Sequence, residues 1–220
     1  MTELEASPEY AEGMSSEVLR DILSGGVSLA VWAREPLAAC EPAIRALLSV
    51  PFRGDWKAPS ANVLVAGIER VTKGAATSNA TTALARDIGA LSKLFGSIAG
   101  TKHPRVRLER VEDDGCALFH ADTLEMRLLC TYAGPGTEWL DCDNLRREQL
   151  GTQSRTLEEA NDAIVIDPAN IRSIATWHVA VFSGRARESA PPLIHRSAPV
   201  SHPKDFRIRL CIDLPGDCGC

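Results

Sequence analysis

The chain has 220 residues, with 24 Lys and Arg against 29 Asp and Glu, a formal charge of −5. An apolar share of 45% excludes a disordered chain and suffices for one full core. The mild acidity disfavours a nucleic-acid partner, and no run of 18 apolar residues offers a membrane span.

The N-terminus MTELEASPEYAEG shows neither the charged nor the apolar region of a secretory signal. Seven Cys occur at irregular spacing with no C-x-x-C pair, which argues against a zinc ribbon and a thioredoxin-type site. The expectation is a cytoplasmic protein whose Cys40, Cys116, Cys130, Cys142 and Cys211 are reduced, several of them small core hydrophobes. The terminal Cys218 and Cys220 form a C-x-C, expected to be a frayed tail rather than a soft-metal site.

In chain order, Ser15 or Ser16 caps a short helix, Glu17 to Leu23, stopped by Gly25 and Gly26. Val27 to Ala33 is a short apolar run that fits a strand. Pro36 fits the first turn of a helix with an apolar stripe of Ile44, Leu47 and Leu48. Pro51 to Pro59 is loop-like. Ser78 to Ile98 is the clearest helix: Leu84, Ile88, Leu91, Leu94, Phe95 and Ile98 recur at three- and four-residue steps before Gly100. After Pro104 the texture turns to short strands. Val106 to Val111 alternates apolar and charged residues and reads as half-exposed. Further runs are Cys116–His120, Met126–Tyr132, Ile164–Ile166, Trp177–Phe182, Leu193–His195 and Phe206–Leu214. Turn signals separate them: Asp113-Asp114-Gly115, Gly134-Pro135-Gly136, Ser183-Gly184, Pro191-Pro192 and Leu214-Pro215-Gly216. The pattern predicts an α+β protein, one domain over 1–220. A mainly helical part, 1–103, buttresses a barrel or jelly-roll core, 104–214.

The chemistry-bearing pattern is His120-Ala121-Asp122 at the end of an apolar run. Residues two apart on a strand share a face, so the imidazole and the carboxylate can meet one metal ion. His195 ends another apolar run. Two His and one carboxylate on one side of an ion form the facial triad of non-haem Fe(II) oxygenases, which leaves positions open. Downstream, Phe206 to Leu214 alternates Phe206, Ile208, Leu210 and Ile212 with Arg207, Arg209, Cys211 and Asp213. An Arg on an inward strand face can hold a carboxylate by a bidentate fork, and either Arg207 or Arg209 meets that description. Tyr132 can add a hydroxyl. His178 reads as a core or rim residue, and His103 and His202, each before a proline, as exposed. Cys130 and Cys211 read as buried, inert thiols. No phosphate-cradling glycine loop is present.

His120-x-Asp122, Arg127-Leu-Leu-Cys-Thr-Tyr132 and Gly134-Pro-Gly-Thr137-Glu-Trp139 resemble the core of the prolyl-4-hydroxylase-type 2-oxoglutarate/Fe(II) dioxygenases. Val179-Ala-Val-Phe182 and Leu193-Ile-His195-Arg-Ser-Ala-Pro199-Val200 extend that resemblance, which covers about residues 105 to 213. More closely, Leu128-Leu-Cys130-Thr-Tyr132-x-Gly134-Pro-Gly136-Thr-Glu-Trp139 and His195-Arg-Ser-x-Pro199 resemble the bacterial domain of unknown function 1826 family over nearly the whole chain. The resemblance implies a double-stranded β-helix (jelly-roll, cupin-like) core with N-terminal helices packed on it. It implies an oxidoreductase: an Fe(II)- and 2-oxoglutarate-dependent dioxygenase, a hydroxylase. His120, Asp122 and His195 would hold the iron. Arg207, six residues before Asp213, would anchor the co-substrate in preference to Arg209. Tyr132 would touch the co-substrate, and Arg127, nearer the mouth, the substrate.

A second reading uses the same triad as a zinc site in a cupin-like protein without oxygenase activity, for metal handling or metal-assisted hydrolysis. A third is a protein-interaction barrel with a degenerate triad. The expected partner is a small-molecule, peptide or protein substrate, with no membrane. The segment Leu140 to Ala163 is expected to be a lid or specificity loop.

Overall fold

Strands from both halves of the chain meet in one sheet. The computed structural model describes residues 9–112, 116–199 and 206–216. In the first half, β1 (Glu9–Gly13) and β2 (Val27–Trp32) precede α1 (Glu41–Leu48), β3 (Arg53–Lys57), α2 (Ala61–Thr72) and α3 (Ser78–Ile98). The second half holds β4 (Arg105–Val111), β5 (Met126–Ala133), β6 (Thr137–Leu140), α4 (Leu157–Ile164), β7 (Arg172–Ser173), β8 (Val179–Ser183), β9 (Ile194–Ser197) and β10 (Arg207–Asp213). The large sheet has the order β1-β2-β8-β5-β10-β4-β3, and a small sheet has the order β7-β6-β9. All pairs are antiparallel except β1 with β2. The architecture is α+β, and none of the described helices is long and apolar enough to cross a membrane.

Alternation along β5 shows why this sheet is buried on both sides. Met126, Leu128, Cys130 and Tyr132 join a cluster with Leu84, Ile88, Leu91 and Phe95 of α3. Leu129 joins Phe182 of β8, Cys211 of β10 and Trp139 of β6 in a second cluster, between the two sheets. The molecule therefore has three layers: helices, large sheet, small sheet. Arg127 and Thr131 share the face of Leu129, and Arg207, Arg209 and Asp213 share that of Cys211, because side chains alternate along a strand. A sheet packed on both faces binds a charged side chain only where a partner neutralises it.

α3 matches the periodicity read from the sequence, with Thr77 accepting from the amide of Ala80 at 3.3 Å and Gly100 in the left-handed region just past its end (φ 67°). The first short helix is 3₁₀, Ser16–Leu23, capped by Ser15. Five expectations are corrected. Pro36 lies outside any helix, and the proline in a first turn is Pro42 of α1. Pro51 to Pro59 contains β3, an edge strand paired with β4, whose exposed Arg53, Asp55 and Lys57 gave it a loop-like composition. Of Cys116 to His120, only His120 pairs, through a single bridge. Ile164 ends α4, and Val165 makes one isolated bridge to Leu145. β4 is not half-exposed: Arg107 and Glu109 are buried, in ion pairs with Asp213 and Arg209. The Asp113-Asp114-Gly115 turn, His202, Cys218 and Cys220 lie outside the described residues.

Candidate metal centre

Two backbone hydrogen bonds set the site. The amide of His120 donates to the carbonyl of His195 at 3.0 Å, and the amide of His195 donates back to His120 at 2.9 Å. Residues opposed in an antiparallel bridge project to the same side, so the two imidazoles stand together, ring centroids 4.8 Å apart. Phe182 of β8 packs against His195 from the other sheet, at 4.7 Å between centroids.

Asp122 reaches the same place from a turn. Its carbonyl accepts from the amide of Arg185 at 2.8 Å, and Glu125 accepts from Gly184 at 2.9 Å. A Cβ on Gly184 would lie 2.0 Å from the carbonyl oxygen of Leu124 and 2.9 Å from that of Asp122, so only glycine allows this close approach. The segment before His120 is tethered by Asn161 of α4. Its Oδ1 accepts from the amide of Phe119 at 3.0 Å, and its Nδ2 donates to the carbonyl of Ala117 at 2.9 Å. α4 is itself fixed by a capping box between Thr156 and Glu159. The segment expected as a lid thus buttresses the segment that carries His120.

The donor atoms are poised for an ion. Nδ1 of His120 lies 2.7 Å from the carbonyl of Leu118, and Nδ1 of His195 lies 3.2 Å from that of Leu193. A carbonyl only accepts, so each Nδ1 carries a proton and each ring turns its Nε2 toward Asp122. Oδ1 of Asp122 faces both, 3.5 Å from Nε2 of His120 and 3.8 Å from that of His195. The three ligand atoms lie within 4.8 Å of one another. Ligands about 2.1 Å from one ion are separated by roughly 3.0–3.5 Å, so a modest closure completes the set. Asp122 is 2% exposed, yet its Oδ1 accepts no hydrogen bond from any described residue. An orphaned buried carboxylate oxygen is costly unless a cation occupies it.

The charges suit that role. Burial pushes the Asp122 carboxyl up, but His120, His195 and Arg127 outweigh it and hold the group well below the usual carboxylate range. Burial is the main cause that lowers His195 to about 4, which keeps its imidazole neutral at ordinary pH.

The remaining expected residues divide. Arg207 is buried on the face of β10 that looks toward the small sheet, with Nη1 3.4 Å from the carbonyl of Ala198. Arg209 shares that face and donates to Glu109 at 2.8 Å. Tyr132 is on the opposite face of β5, and its hydroxyl donates to Asp87 of α3 at 2.6 Å, so the structure does not bring it to the triad. Arg127 does not line a mouth. It is 3% exposed and donates to Asp122 and Asp213. The sequence reading missed Asp213, Arg107, Asn161 and Gly184. Two of them had a signal: Arg107 and Asp213 are charges that alternate with apolar residues along β4 and β10. His103 is exposed and His178 half-buried, as read. Cys130 and Cys211 are buried, and burial raises both thiols, Cys130 to about 12.

A family model described as Protein of unknown function (DUF1826) matches residues 13–213. No curated protein matches the chain. Among solved structures, a Caulobacter crescentus protein assigned to the 2OG-Fe(II) oxygenase family is similar at 13% identity and TM-score 0.45, over 94% of this chain and 86% of that one. The Fe(II)/α-ketoglutarate-dependent dioxygenase TqaL is similar at 12% and 0.41, over 81% and 74%. The dioxygenase for auxin oxidation 1 from Arabidopsis thaliana is similar at 10% and 0.37, over 80% and 77%.

Proposed function

The chain belongs to the family described as Protein of unknown function (DUF1826), and for it we propose an Fe(II)- and 2-oxoglutarate-dependent dioxygenase, a hydroxylase. The observation that carries the reading is the orphaned Oδ1 of Asp122, set before Nε2 of His120 and of His195. Nitrogen and carboxylate donors without sulfur suit a ferrous ion, and three protein ligands leave positions open for a chelating co-substrate and dioxygen. The strand order supports it. β4-β10-β5-β8 of the large sheet lies against the His120 segment, β9, β6 and β7 of the small one. That order is the one expected of a double-stranded β-helix with β1, β2 and β3 added at its edges, and it supports the reading.

His120, Asp122 and His195 would hold the iron. When bound, it supplies the chemistry that couples dioxygen and oxidation of the 2-oxo acid to substrate hydroxylation. The rest falls to this chain's own residues. The carbonyls of Leu118 and Leu193 fix both imidazole tautomers. Phe182 and the apolar cluster between the sheets exclude water from the ligand side. Arg207, buried on the inward face of β10, offers a guanidinium for the far carboxylate of the co-substrate. Six residues before Asp213, it remains the preferred anchor, and Arg209, which shares that face and donates to Glu109, remains the second candidate.

The test is an anaerobic titration of metal-free protein with Fe(II) and then 2-oxoglutarate, followed by visible absorption. A weak charge-transfer band that requires both additions is expected, and Arg207→Ala should raise the 2-oxoglutarate concentration needed at least tenfold, against little change for Arg209→Ala. No band, with zinc retained and undisplaced by iron, would overturn the reading in favour of a zinc protein.

A further inference from the structure

The buried charges around Asp122 form a chain rather than a pair. Nη1 of Arg127 donates to Oδ2 of Asp122 at 2.6 Å. Nε and Nη2 of the same guanidinium grip Asp213, at 2.6 Å to Oδ1 and 3.2 Å to Oδ2. Asp213 is also held by Nη2 of Arg107 at 2.7 Å. The chain runs from the turn after His120 through β5 and β10 to β4, and none of the four side chains is more than 5% exposed.

We propose that Arg127 is a positioning residue for the metal ligand Asp122, and that Asp213, itself fixed by Arg107, neutralises and aims Arg127 for that task. The inference rests on the reading that the triad holds a metal. Two geometric facts carry it. Arg127 occupies Oδ2 only, so Asp122 is left one oxygen for an ion and is set to bind through that atom alone. One guanidinium bridges both carboxylates, so the orientation of Asp122 is inherited from two strands rather than from its own turn. Charge explains why the chain does not stop at Arg127. A lone cation beside Asp122 would repel a divalent ion and compete for its ligand. Asp213 offsets that positive charge while keeping the hydrogen bond. Asp213 touches no metal ligand, yet it is expected to tune metal affinity.

Cobalt(II) serves as an air-stable probe whose visible bands report coordination. Its binding to the metal-free chain is measured by calorimetry and absorption for the native protein, Arg127→Lys, Asp213→Asn and, as a control, Arg34→Lys. Arg34 lies in a largely buried ion pair with Asp87 on the opposite side of the large sheet. Outer partners of metal ligands are typically worth 10- to 100-fold in affinity. We expect a loss in that range for Asp213→Asn, which keeps the shape but not the charge. For Arg127→Lys we expect a smaller loss with altered bands, since an ammonium cannot fork between two carboxylates. Arg34→Lys should lower thermal stability and leave affinity and bands unchanged. Native affinity and spectrum in both variants would overturn the inference while leaving the metal site intact. Asp213→Asn, being isosteric, decides alone should Arg127→Lys not fold. A native protein that binds no cobalt would overturn the metal reading itself.

Discussion

Two Arg–carboxylate clusters sit back to back on β5, one on each face of the large sheet, and they differ in one oxygen atom. On the helix side, Arg34 donates to both oxygens of Asp87, at 2.6 and 2.9 Å, and Tyr132 donates to Oδ2 at 2.6 Å. Arg34 also reaches the carbonyl of Trp177 at 3.0 Å. That cluster is closed: every carboxylate oxygen has a donor, and its effect is to pin α3 to the sheet. On the other side, Arg127 and Arg107 satisfy Asp213 and one oxygen of Asp122, and the second oxygen of Asp122 is left facing two histidines. The comparison teaches that burial and ion pairing do not by themselves mark a functional site. The mark is the atom that the pairing leaves unsatisfied.

The largest expected effect breaks the closed cluster. Asp87→Ala strands the Arg34 charge and the Tyr132 hydroxyl, and should cost about 3–5 kcal/mol in denaturant unfolding. Metal affinity of the folded fraction should stay at the native value. If affinity fell in parallel, the two clusters would not be separate in function.

Next comes the open cluster with its ion. At a free metal concentration 100 times the dissociation constant, binding to the native state alone stabilises by about 2.7 kcal/mol. Fe(II) under anaerobic conditions should therefore raise the melting temperature of the native protein and leave His120→Ala unmoved. A rise that survives in His120→Ala would place the ion elsewhere.

Asn161→Ala tests the support behind the triad. It removes two hydrogen bonds to the backbone before His120, and should cost about 1–3 kcal/mol with a several-fold loss of metal affinity. A stability loss with unchanged affinity would reduce α4 to scaffold.

The smallest effect belongs to an exposed version of the same pairing. Arg105 grips Asp55 at 3.0 and 2.5 Å on the open edge of the sheet. The Arg105 guanidinium holds the Asp55 carboxyl below its usual range. A depressed carboxyl favours folding above its unfolded pKa, and this contribution is lost as pH falls through the folded value. Solvent screening limits it to below about 1 kcal/mol. Asp55→Asn should be measurably less stable at pH 7 and equal to the native protein at the acid end of a denaturation series. A persistent difference in acid would mean that Asp55 contributes by packing, not charge.

How much of this was legible in the sequence depends on range. α3, β2, β5, β8, β9 and β10 were readable because their signals are local: period, caps and apolar runs between turns. The triad was readable too, since His120-x-Asp122 and His195 each end such a run. β3 was not, because an edge strand with exposed Arg53, Asp55 and Lys57 has the composition of a loop until β4 pairs with it. Arg127 is expected at the substrate and Tyr132 at the co-substrate, and both are placed instead by long-range partners: Asp213, 86 positions on, and Asp87, 45 positions back. Ion-pair partners across a sheet leave no mark at fixed spacing. What the sequence did contain was Arg107, Glu109, Arg207, Arg209 and Asp213, charges of both signs alternating with apolar residues on β4 and β10, a hint that the inward face of these strands neutralises itself.

The most direct test of the metal centre is X-ray absorption at the iron edge of protein loaded anaerobically with one equivalent of Fe(II). The account predicts nitrogen and oxygen neighbours at roughly 2.0–2.2 Å, with outer-shell scattering from two imidazoles. A sulfur shell near roughly 2.3 Å, or no imidazole scattering, would contradict it by placing the iron on cysteines or on the surface.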